Sequence, residues 1–345
     1  MSAVENTTLH AQDILKVEGL RKRFPIRRGF FQRAAGWVPA VENVSFSIER
    51  GKTLGLVGES GCGKTTVARM ILKLLPSDAG RILFNGLDLC GISDAEMKPL
   101  RKEIQIIFQD PYGSLNPRMS VGEAIGEGLR MTGVRRRTAA AARTEELLAR
   151  VGMSARAIDR YPHEFSGGQR QRVGIARALS VDPSLIICDE PVSALDVSIQ
   201  AQIINLLKDL QDQLGLSYLF ISHDLNVVGY LCHRVAVMYR GQIVEHAPTE
   251  ELFEHPLHPY THLLLSAVPD PEEPKSPGTA EVASELPETP RDVLEGCRFR
   301  LKCLESEERC RSYDEQPIRV GEDHWVRCWK TVPAKSPLPP LLKGE

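Results

Sequence analysis

One stretch of the sequence has the residue types and spacing of a loop that binds the phosphates of a nucleoside triphosphate. Residues 58–65, GESGCGKT, fit the pattern G-x-x-x-x-G-K-[ST]. The glycines let the backbone turn tightly and present successive N–H groups to the β- and γ-phosphates. Lys64 adds a positive charge, and Thr65 offers a hydroxyl to Mg²⁺. We expect the nucleotide contacts to come from Gly58, Glu59, Ser60, Gly61, Cys62, Gly63, Lys64, Thr65 and Thr66.

A second candidate anion site begins at residue 166. The run Ser166-Gly167-Gly168-Gln169 places a serine three residues before a glutamine, which is the capping-box pattern at the start of a helix. The free N–H groups of a helix N-terminus attract an anion. One triphosphate could meet both sites if the chain folded back on itself or if two chains faced each other head to tail. The second arrangement pairs the two sites naturally.

A pair of acids ends an apolar run. Residues 185–188, LIIC, predict a buried strand, and Asp189 and Glu190 follow it directly. Adjacent carboxylates are costly in a core, so we expect them to face a site. Asp189 suits indirect coordination of Mg²⁺, and Glu190 can orient and deprotonate a water molecule.

These groups need structural elements that bring them together. Three more apolar runs predict buried strands, and they end at the polar positions Gly58, Gln109 and His223. In an open α/β sheet, ligands bind beyond the carboxyl ends of the strands, so these positions should converge on one crevice. The sequence therefore predicts an α/β fold with a nucleotide site at one edge of its sheet.

Two further segments accompany this sheet. Residues 14–18 and 40–48 alternate apolar and polar side chains, which predicts antiparallel strands joined by a long exposed loop. Phe24 follows the first run, where its ring could stack on a nucleobase. Residues from about 110 to 165 begin with Pro and Gly and continue with strong helix formers, which predicts an inserted helical subdomain.

Composition narrows the class of function. The 345 residues are 42% hydrophobic and 26% charged, as in an ordinary soluble protein of about two domains. The 43 Lys and Arg nearly balance the 45 Asp and Glu, so we expect no nucleic-acid partner. No apolar stretch has the length of a membrane span, and the N-terminus lacks the pattern of a signal peptide. We therefore expect a chain that neither spans a membrane nor is secreted, with its cysteines in a reducing compartment.

Half of the eight cysteines lie near the C-terminus, beyond a Pro- and Glu-rich segment over 269–295 that predicts a linker. Four thiolates can hold zinc or an iron–sulfur cluster, but their spacing lacks the C-x₂₋₄-C knuckle of ordinary zinc sites. From the residues alone, zinc, a cluster and free thiols all stay open. The four cysteines are Cys297, Cys303, Cys310 and Cys328.

Taken in order along the chain, these motifs resemble the nucleotide-binding subunit of ABC transporters. The resemblance rests on the phosphate loop, Gln109, residues 166–169, Asp189-Glu190, Ser193-Ala194-Leu195-Asp196 and Ser222-His223-Asp224. Three stretches are similar to the oligopeptide/dipeptide importer branch: FQDPYGSLNP over 108–117, YPHEFS over 161–166 and HPYT over 258–261. The similarity extends from about residue 13 to residue 328.

The resemblance implies a P-loop NTPase (RecA-like) core with an antiparallel β subdomain, an inserted α-helical subdomain and a small Cys-rich C-terminal extension. It divides the chain into a nucleotide-binding domain over 12–268, with its helical subdomain at about 110–165, the linker over 269–295, the extension over 296–330 and a tail over 331–345. It also tips the four C-terminal cysteines toward a [4Fe–4S] cluster, since some relatives carry one there.

The resemblance further implies that two such subunits enclose two ATP molecules. The phosphate loop of one subunit holds each ATP, and the other subunit caps it in trans through Ser166, Gly167, Gly168, Gln169 and Asp196.

Other positions receive roles within one chain. Glu190 takes the place of the catalytic base, His223 that of a γ-phosphate contact, and Phe24 that of the ring that stacks on adenine. Gln109 senses Mg²⁺ and the attacking water, and the ion is expected to involve Thr65, Gln109 and Asp189.

The partners implied are two membrane permease subunits, a second ABC ATPase subunit and an extracytoplasmic solute-binding protein. The second ATPase is a related paralogue or an identical chain. Such a subunit works at the cytoplasmic face of the inner membrane, as a peripheral protein that powers import of di- and oligopeptides.

Three alternatives stay open. The solute could instead be nickel or glutathione. A soluble ABC ATPase that works outside transport is disfavoured, because the chain has one nucleotide domain, no long coiled-coil insertion and no basic face. A third alternative is an iron–sulfur redox sensor with the ATPase as its output.

Overall fold

The computed structural model describes residues 13–28, 33–110, 113, 115–267, 295–313 and 316–331. The linker expected over 269–295 lies outside these ranges except for its last residue, and the tail expected over 331–345 except for its first.

The strands within these ranges form two sheets. In chain order they are β1 (Asp13–Arg28), β2 (Arg33–Glu49), β3 (Thr53–Val57), β4 (Ala79–Phe84), β5 (Leu87–Asp88), β6 (Ile104–Ile107), β7 (Leu185–Asp189), β8 (Ser217–Ser222), β9 (Arg234–Tyr239), β10 (Gln242–Pro248), β11 (Ile318–Arg319) and β12 (Trp325–Val326).

Helices cover both faces of the larger sheet and fill the segment between β6 and β7. They are α1 (Lys64–Ile71), α2 (Asp94–Glu103), α3 (Val121–Met131), α4 (Arg137–Arg150), α5 (Gly167–Leu179), α6 (Val197–Leu214), α7 (Leu225–Leu231), α8 (Thr249–Glu254) and α9 (Pro259–Ser266). Among the residues described, no helix combines the length and the apolar character needed to cross a bilayer.

The larger sheet has the strand order β11-β12-β10-β9-β3-β8-β7-β6. Neighbours from β9 to β6 run parallel, whereas β10 is antiparallel to β9. Every side chain of β3, β7 and β8 is buried, as expected for parallel strands that are covered on both faces. The α/β fold is therefore confirmed, and the carboxyl ends of β3, β8, β7 and β6 lie side by side.

The smaller sheet, β2-β1-β4-β5, is antiparallel, as predicted. The long exposed loop expected between its first two strands is wrong, because β1 and β2 stay paired through Phe24↔Val38 and Ile26↔Gly36. Several register shifts interrupt this hairpin, and such bulges break the strict alternation from which a strand is predicted.

The segment between β6 and β7 is mainly helical, as predicted. α3 begins at a capping box in which Ser120 and Glu123 satisfy each other's backbone N–H groups. α4 has the sequence RTAAAARTEELLAR, which contains many of the strong helix formers that predicted this subdomain. The two helices bury apolar side chains in one cluster with α5, among them Ile125, Leu129, Leu147, Leu148 and Val173.

The structure describes the C-terminal extension, expected over 296–330, at residues 296–313 and 316–330. Its strands β11 and β12 pair antiparallel with each other, and β12 also pairs with β10. A buried ion pair also joins the extension to β10. Nε2 of His324 lies 2.9 Å from Oε1 of the fully buried Glu245. Glu245 also accepts hydrogen bonds from the backbone N–H groups of Leu257 (2.7 Å) and His258 (2.9 Å).

The two groups of this ion pair shift each other's pKa. Burial by itself raises the pKa of Glu245, but the bonds from His324 and the two backbone amides hold it below the ordinary value. Burial lowers the pKa of His324, yet the bond and the charge of Glu245, aided by Glu251, raise it above the ordinary 6.5.

We expect the stability of the folded chain to depend on pH through this pair. The raised pKa of His324 contributes stability that is present below its unfolded value and is lost as pH rises through its folded value. The lowered pKa of Glu245 contributes stability that is lost only as pH falls through its folded value. Denaturant unfolding should therefore show a fall in stability as pH rises above 6.5, the ordinary pKa of histidine, and His324→Gln should reduce this fall. An equal pH dependence in both proteins would contradict this expectation.

Candidate functional site

The phosphate loop joins β3 to α1. Gly58 and Gly63 have φ angles of 148° and 116°, a backbone conformation that favours glycine. A Cβ at Gly58 would lie 2.1 Å from the carbonyl oxygen of Met238, and one at Gly63 would lie 2.3 Å from that of Ala40. Because both obstacles are backbone atoms, a side chain at either position would displace the loop.

Positive charge is concentrated within this loop. Lys64 is buried, and its Nζ donates to the carbonyl oxygens of Gly58 (2.7 Å) and Glu59 (3.0 Å). Its ammonium group has no carboxylate partner among the residues described. Gly63 is the N-cap of α1 and provides no side-chain hydrogen bond, so the positive end of the helix dipole also faces the loop. The loop can therefore hold a phosphate anion.

A hydroxyl and a carboxylate meet beside the loop. Oγ1 of Thr65, in α1, donates to Oδ1 of Asp189, at the end of β7, over 3.1 Å. Burial raises the pKa of Asp189, and the charge of Glu190 adds to this effect, although the bond from Thr65 opposes it. These groups fit a phosphate-bound Mg²⁺, which takes one or two protein oxygens and completes its shell with phosphates and water.

Three polar side chains meet at the ends of β6, β7 and β8. Nε2 of Gln109 donates to Oε2 of Glu190 over 3.1 Å, and Nδ1 of His223 lies 3.5 Å from the same oxygen. Glu190 has a φ of 49°, a left-handed conformation that is uncommon outside glycine and that clusters at functional sites. This group can orient a water molecule between a carboxylate and an imidazole.

The structure thus brings together the groups that the sequence placed at four strand ends. Thr65 links the phosphate loop to Asp189, and the next residue, Glu190, meets Gln109 and His223. The strand order places all of them at the carboxyl ends of neighbouring parallel strands in the larger sheet.

The residues predicted to act in trans do not join this group within one chain. Ser166 caps α5 and exchanges hydrogen bonds with Gln169, as the capping-box pattern predicted. Neither residue bonds to the phosphate loop of its own chain within the described ranges. Ser166 and Asp196, which precedes α6, are exposed, whereas Gly168 is buried so closely that a Cβ would lie 2.4 Å from Cγ2 of Ile199.

Phe24 lies in β1, with 39% of its surface exposed and Nζ of Lys22 5.9 Å from its ring centre. The exposed ring is available for stacking on a base, and its role stays a prediction.

Two contacts on the phosphate loop come from positions that no sequence pattern predicts to lie there. The hydroxyl of Tyr260 accepts a hydrogen bond from the backbone N–H of Glu59, and the N–H of Gly241 donates to the carbonyl of Cys62. Tyr260 belongs to the run HPYT, which served only as a mark of resemblance. Its apolar neighbours predict burial, but nothing in the pattern indicates what it meets.

The four C-terminal cysteines line one small cavity together with Phe299 and Trp329. Even so, the described residues contain no group of three or more His, Cys, Asp or Glu side chains that could hold a metal ion. Burial raises the pKa of the Cys303 and Cys328 thiols, which disfavours the thiolate form that binds metals. The side chains as placed do not fit a [4Fe–4S] cluster or zinc, and neither expectation is supported.

Comparison with known proteins agrees with this geometry. The family model for the ABC transporter matches residues 41–193, and that for the oligopeptide/dipeptide transporter C-terminal region matches residues 244–310. The oligopeptide transport ATP-binding protein AppF of Bacillus subtilis is 47% identical over 325 residues, which cover 93% of this chain and 98% of AppF. The glutathione import ATP-binding protein GsiA of Salmonella typhimurium is 55% identical over 77% of this chain, which spans only 42% of GsiA.

A solved structure has the same fold. The ATP-binding cassette MJ0796, determined as a dimer in a post-hydrolysis state bound to ADP and Pi, superposes with a TM-score of 0.61 at 27% identity, covering 68% of this chain and 98% of the cassette. With the phosphate loop, the acid pair and the capped α5 in this arrangement, the chain belongs to the ABC transporter family of ATP-binding proteins.

Proposed function

We propose that the chain is the ATP-hydrolysing subunit of an importer that carries di- and oligopeptides across the cytoplasmic membrane. The observation that carries the proposal is the meeting of Thr65 with Asp189, and of Glu190 with Gln109 and His223, along one edge of the sheet. A phosphate-binding loop beside a carboxylate that can activate water is the arrangement that hydrolysis of a triphosphate requires.

Each group has a part in this reaction. Lys64 and the N–H groups of the loop bind the phosphates, and Phe24 stacks on the adenine. Thr65, Gln109 and Asp189 would hold Mg²⁺, which would supply positive charge beside the β- and γ-phosphates. Glu190 accepts a proton from the attacking water, while Gln109 and His223 orient the water and the γ-phosphate.

The proposed working unit contains two ATP-binding chains. Ser166, Gly167, Gly168, Gln169 and Asp196 of one chain cap the ATP that the other chain holds. Support comes from the exposure of Ser166 and Asp196, which have no bond to their own phosphate loop in the described residues, and from MJ0796, which was solved as a dimer. Cleavage of ATP removes the γ-phosphate that joins the two chains, so they separate.

The same proposal assigns the partners. Two membrane permease subunits, a second ATPase subunit that is a paralogue or an identical chain, and an extracytoplasmic solute-binding protein complete the importer. The chain works as a peripheral protein at the cytoplasmic face of the membrane. Support comes from the match to the oligopeptide/dipeptide transporter C-terminal region and from the name of AppF.

Glutathione is the second candidate solute, because GsiA is named for its import. Peptides are favoured, since AppF aligns over nearly its whole length whereas GsiA aligns over less than half of its own.

Uptake in whole cells tests the proposal. Cells that lack this chain are expected to lose uptake of a labelled tripeptide and to keep uptake of glutathione and Ni²⁺. The wild-type gene should restore uptake, and a Glu190→Gln gene should not. Loss of glutathione or Ni²⁺ uptake alone would overturn the peptide assignment. If a tagged chain co-purified only with soluble proteins, the transport role itself would be wrong.

A further inference from the structure

The ring of Tyr260 lies directly behind the phosphate loop. Tyr260 is in the first turn of α9 and is fully buried, and its hydroxyl accepts a hydrogen bond of 2.9 Å from the backbone N–H of Glu59. Glu59 is the second residue of the loop. Burial raises the pKa of Tyr260, so the hydroxyl stays protonated at physiological pH.

The start of α9 fixes where this ring can lie. His258 caps the helix, and its Nδ1 accepts a hydrogen bond of 3.0 Å from the N–H of Tyr260. Burial lowers the pKa of His258 to about 4, which keeps the imidazole neutral and Nδ1 able to accept. Pro259 occupies the first helical position, which needs no N–H donor. Glu245 in turn holds the backbone N–H of His258.

The C-terminal extension holds the ring from the other side. Phe299 of the extension is buried, and its ring centre lies 5.5 Å from that of Tyr260 and 5.3 Å from that of Tyr239 in β9. The rings of Tyr239 and Tyr260 are 4.5 Å apart. Tilted and edge-on contacts at these distances are favourable for aromatic pairs, so the three rings form one packed cluster.

We infer that Tyr260 is a positioning residue for the ATP site, and that the C-terminal extension supports this site through Phe299. The Tyr260 hydroxyl holds the loop backbone at Glu59 in the conformation that presents its N–H groups to phosphate, and Phe299 keeps the Tyr260 ring in place. The inference rests on the proposed function, since it concerns the same nucleotide site. On this inference the C-terminal extension contributes to ATP binding, although its residues lie apart from the strand ends where the reaction takes place.

The test compares two variants in which a buried tyrosine loses its hydroxyl group. Tyr260→Phe keeps the ring and leaves the N–H of Glu59 without its partner. Tyr218→Phe is the matched control, because Tyr218 is also fully buried and its hydroxyl donates to the carbonyl of Leu207 over 2.9 Å, away from the loop. Tyr260→Phe is expected to raise the Kd and the KM for ATP about 2- to 10-fold, the range set by one hydrogen bond. Its kcat should change less than twofold, because the bond is present in both the ground state and the transition state.

A double-mutant cycle tests the part of Phe299. Phe299→Leu should also raise the Kd for ATP, and in the Tyr260→Phe background it should raise it less, since both changes act through one contact. The inference would be overturned if Tyr260→Phe left the Kd unchanged, if Tyr218→Phe raised it equally, or if the effects of Tyr260→Phe and Phe299→Leu were independent. Each of these results leaves the proposed function standing. Failure of the wild-type chain to hydrolyse Mg-ATP would instead remove the proposed function.

Discussion

Replacing Glu190 with glutamine is expected to lower kcat for ATP hydrolysis by roughly 10²–10⁴-fold, the usual effect of losing a general base. The new amide keeps the shape of the side chain and can still accept the bond from Nε2 of Gln109. It cannot take a proton from water. ATP should therefore still bind and still draw two chains together, and the variant should elute as an ATP-bound dimer in size-exclusion chromatography.

The matched control is Glu145→Gln, the same chemical change on the exposed face of α4. It should hydrolyse ATP at the wild-type rate. Unchanged hydrolysis in Glu190→Gln would remove Glu190 from the mechanism. A loss of ATP binding in that variant would assign Glu190 to binding rather than to proton transfer.

The edge of the sheet that carries these groups was predictable from the sequence for a physical reason. Parallel strands covered on both faces are apolar along their whole length, so they stand out as short runs such as 185–188. A polar residue directly after such a run has left the core on the side where ligands bind. Gln109, Asp189 and His223 could be placed together on this basis without any knowledge of the strand order.

Contacts between distant elements were not predictable in this way. Tyr260 and Glu59 are 201 positions apart, and His324 and Glu245 are 79 apart. Periodicity indicates which face of an element is buried, but not which side chain it will meet. The prediction of a long loop between β1 and β2 was wrong for a different reason. Register shifts in this hairpin disturb the alternation on which a strand prediction depends. The four cysteines illustrate the same limit, since spacing alone does not determine whether side chains converge on a metal.

The second large expected effect concerns the proposed role of α5 in capping the ATP of a partner chain. Gly168→Val should reduce hydrolysis about 10²–10³-fold, a loss comparable to removing a main-chain donor that stabilises a transition state. A Cβ at Gly168 would lie 2.4 Å from Cγ2 of Ile199 in α6, so we expect the bulkier valine to shift the start of α5, and Ser166 with it, relative to α6. The phosphate loop of the same chain is untouched, because no bond joins it to Ser166 in the described residues. ATP binding by the isolated chain should therefore be retained.

The control for this experiment is Gly174→Ala, since Gly174 lies in the same helix and a Cβ there would meet nothing within 4 Å. It should keep full hydrolysis and be slightly more stable, as alanine favours a helix more than glycine does.

A mixing experiment then tests whether two chains share each ATP site. If two chains complete each site, a chain with Lys64→Ala and a chain with Gly168→Val should regain hydrolysis when combined, because one site in each mixed pair has an intact loop and an intact cap. Recovery of hydrolysis in this mixture would identify an identical chain as a competent partner. If hydrolysis recovered only when a co-purifying ATPase was added, the partner would be a paralogue. Full hydrolysis by Gly168→Val alone would show that α5 has no part in the reaction, and the shared site would then be wrong.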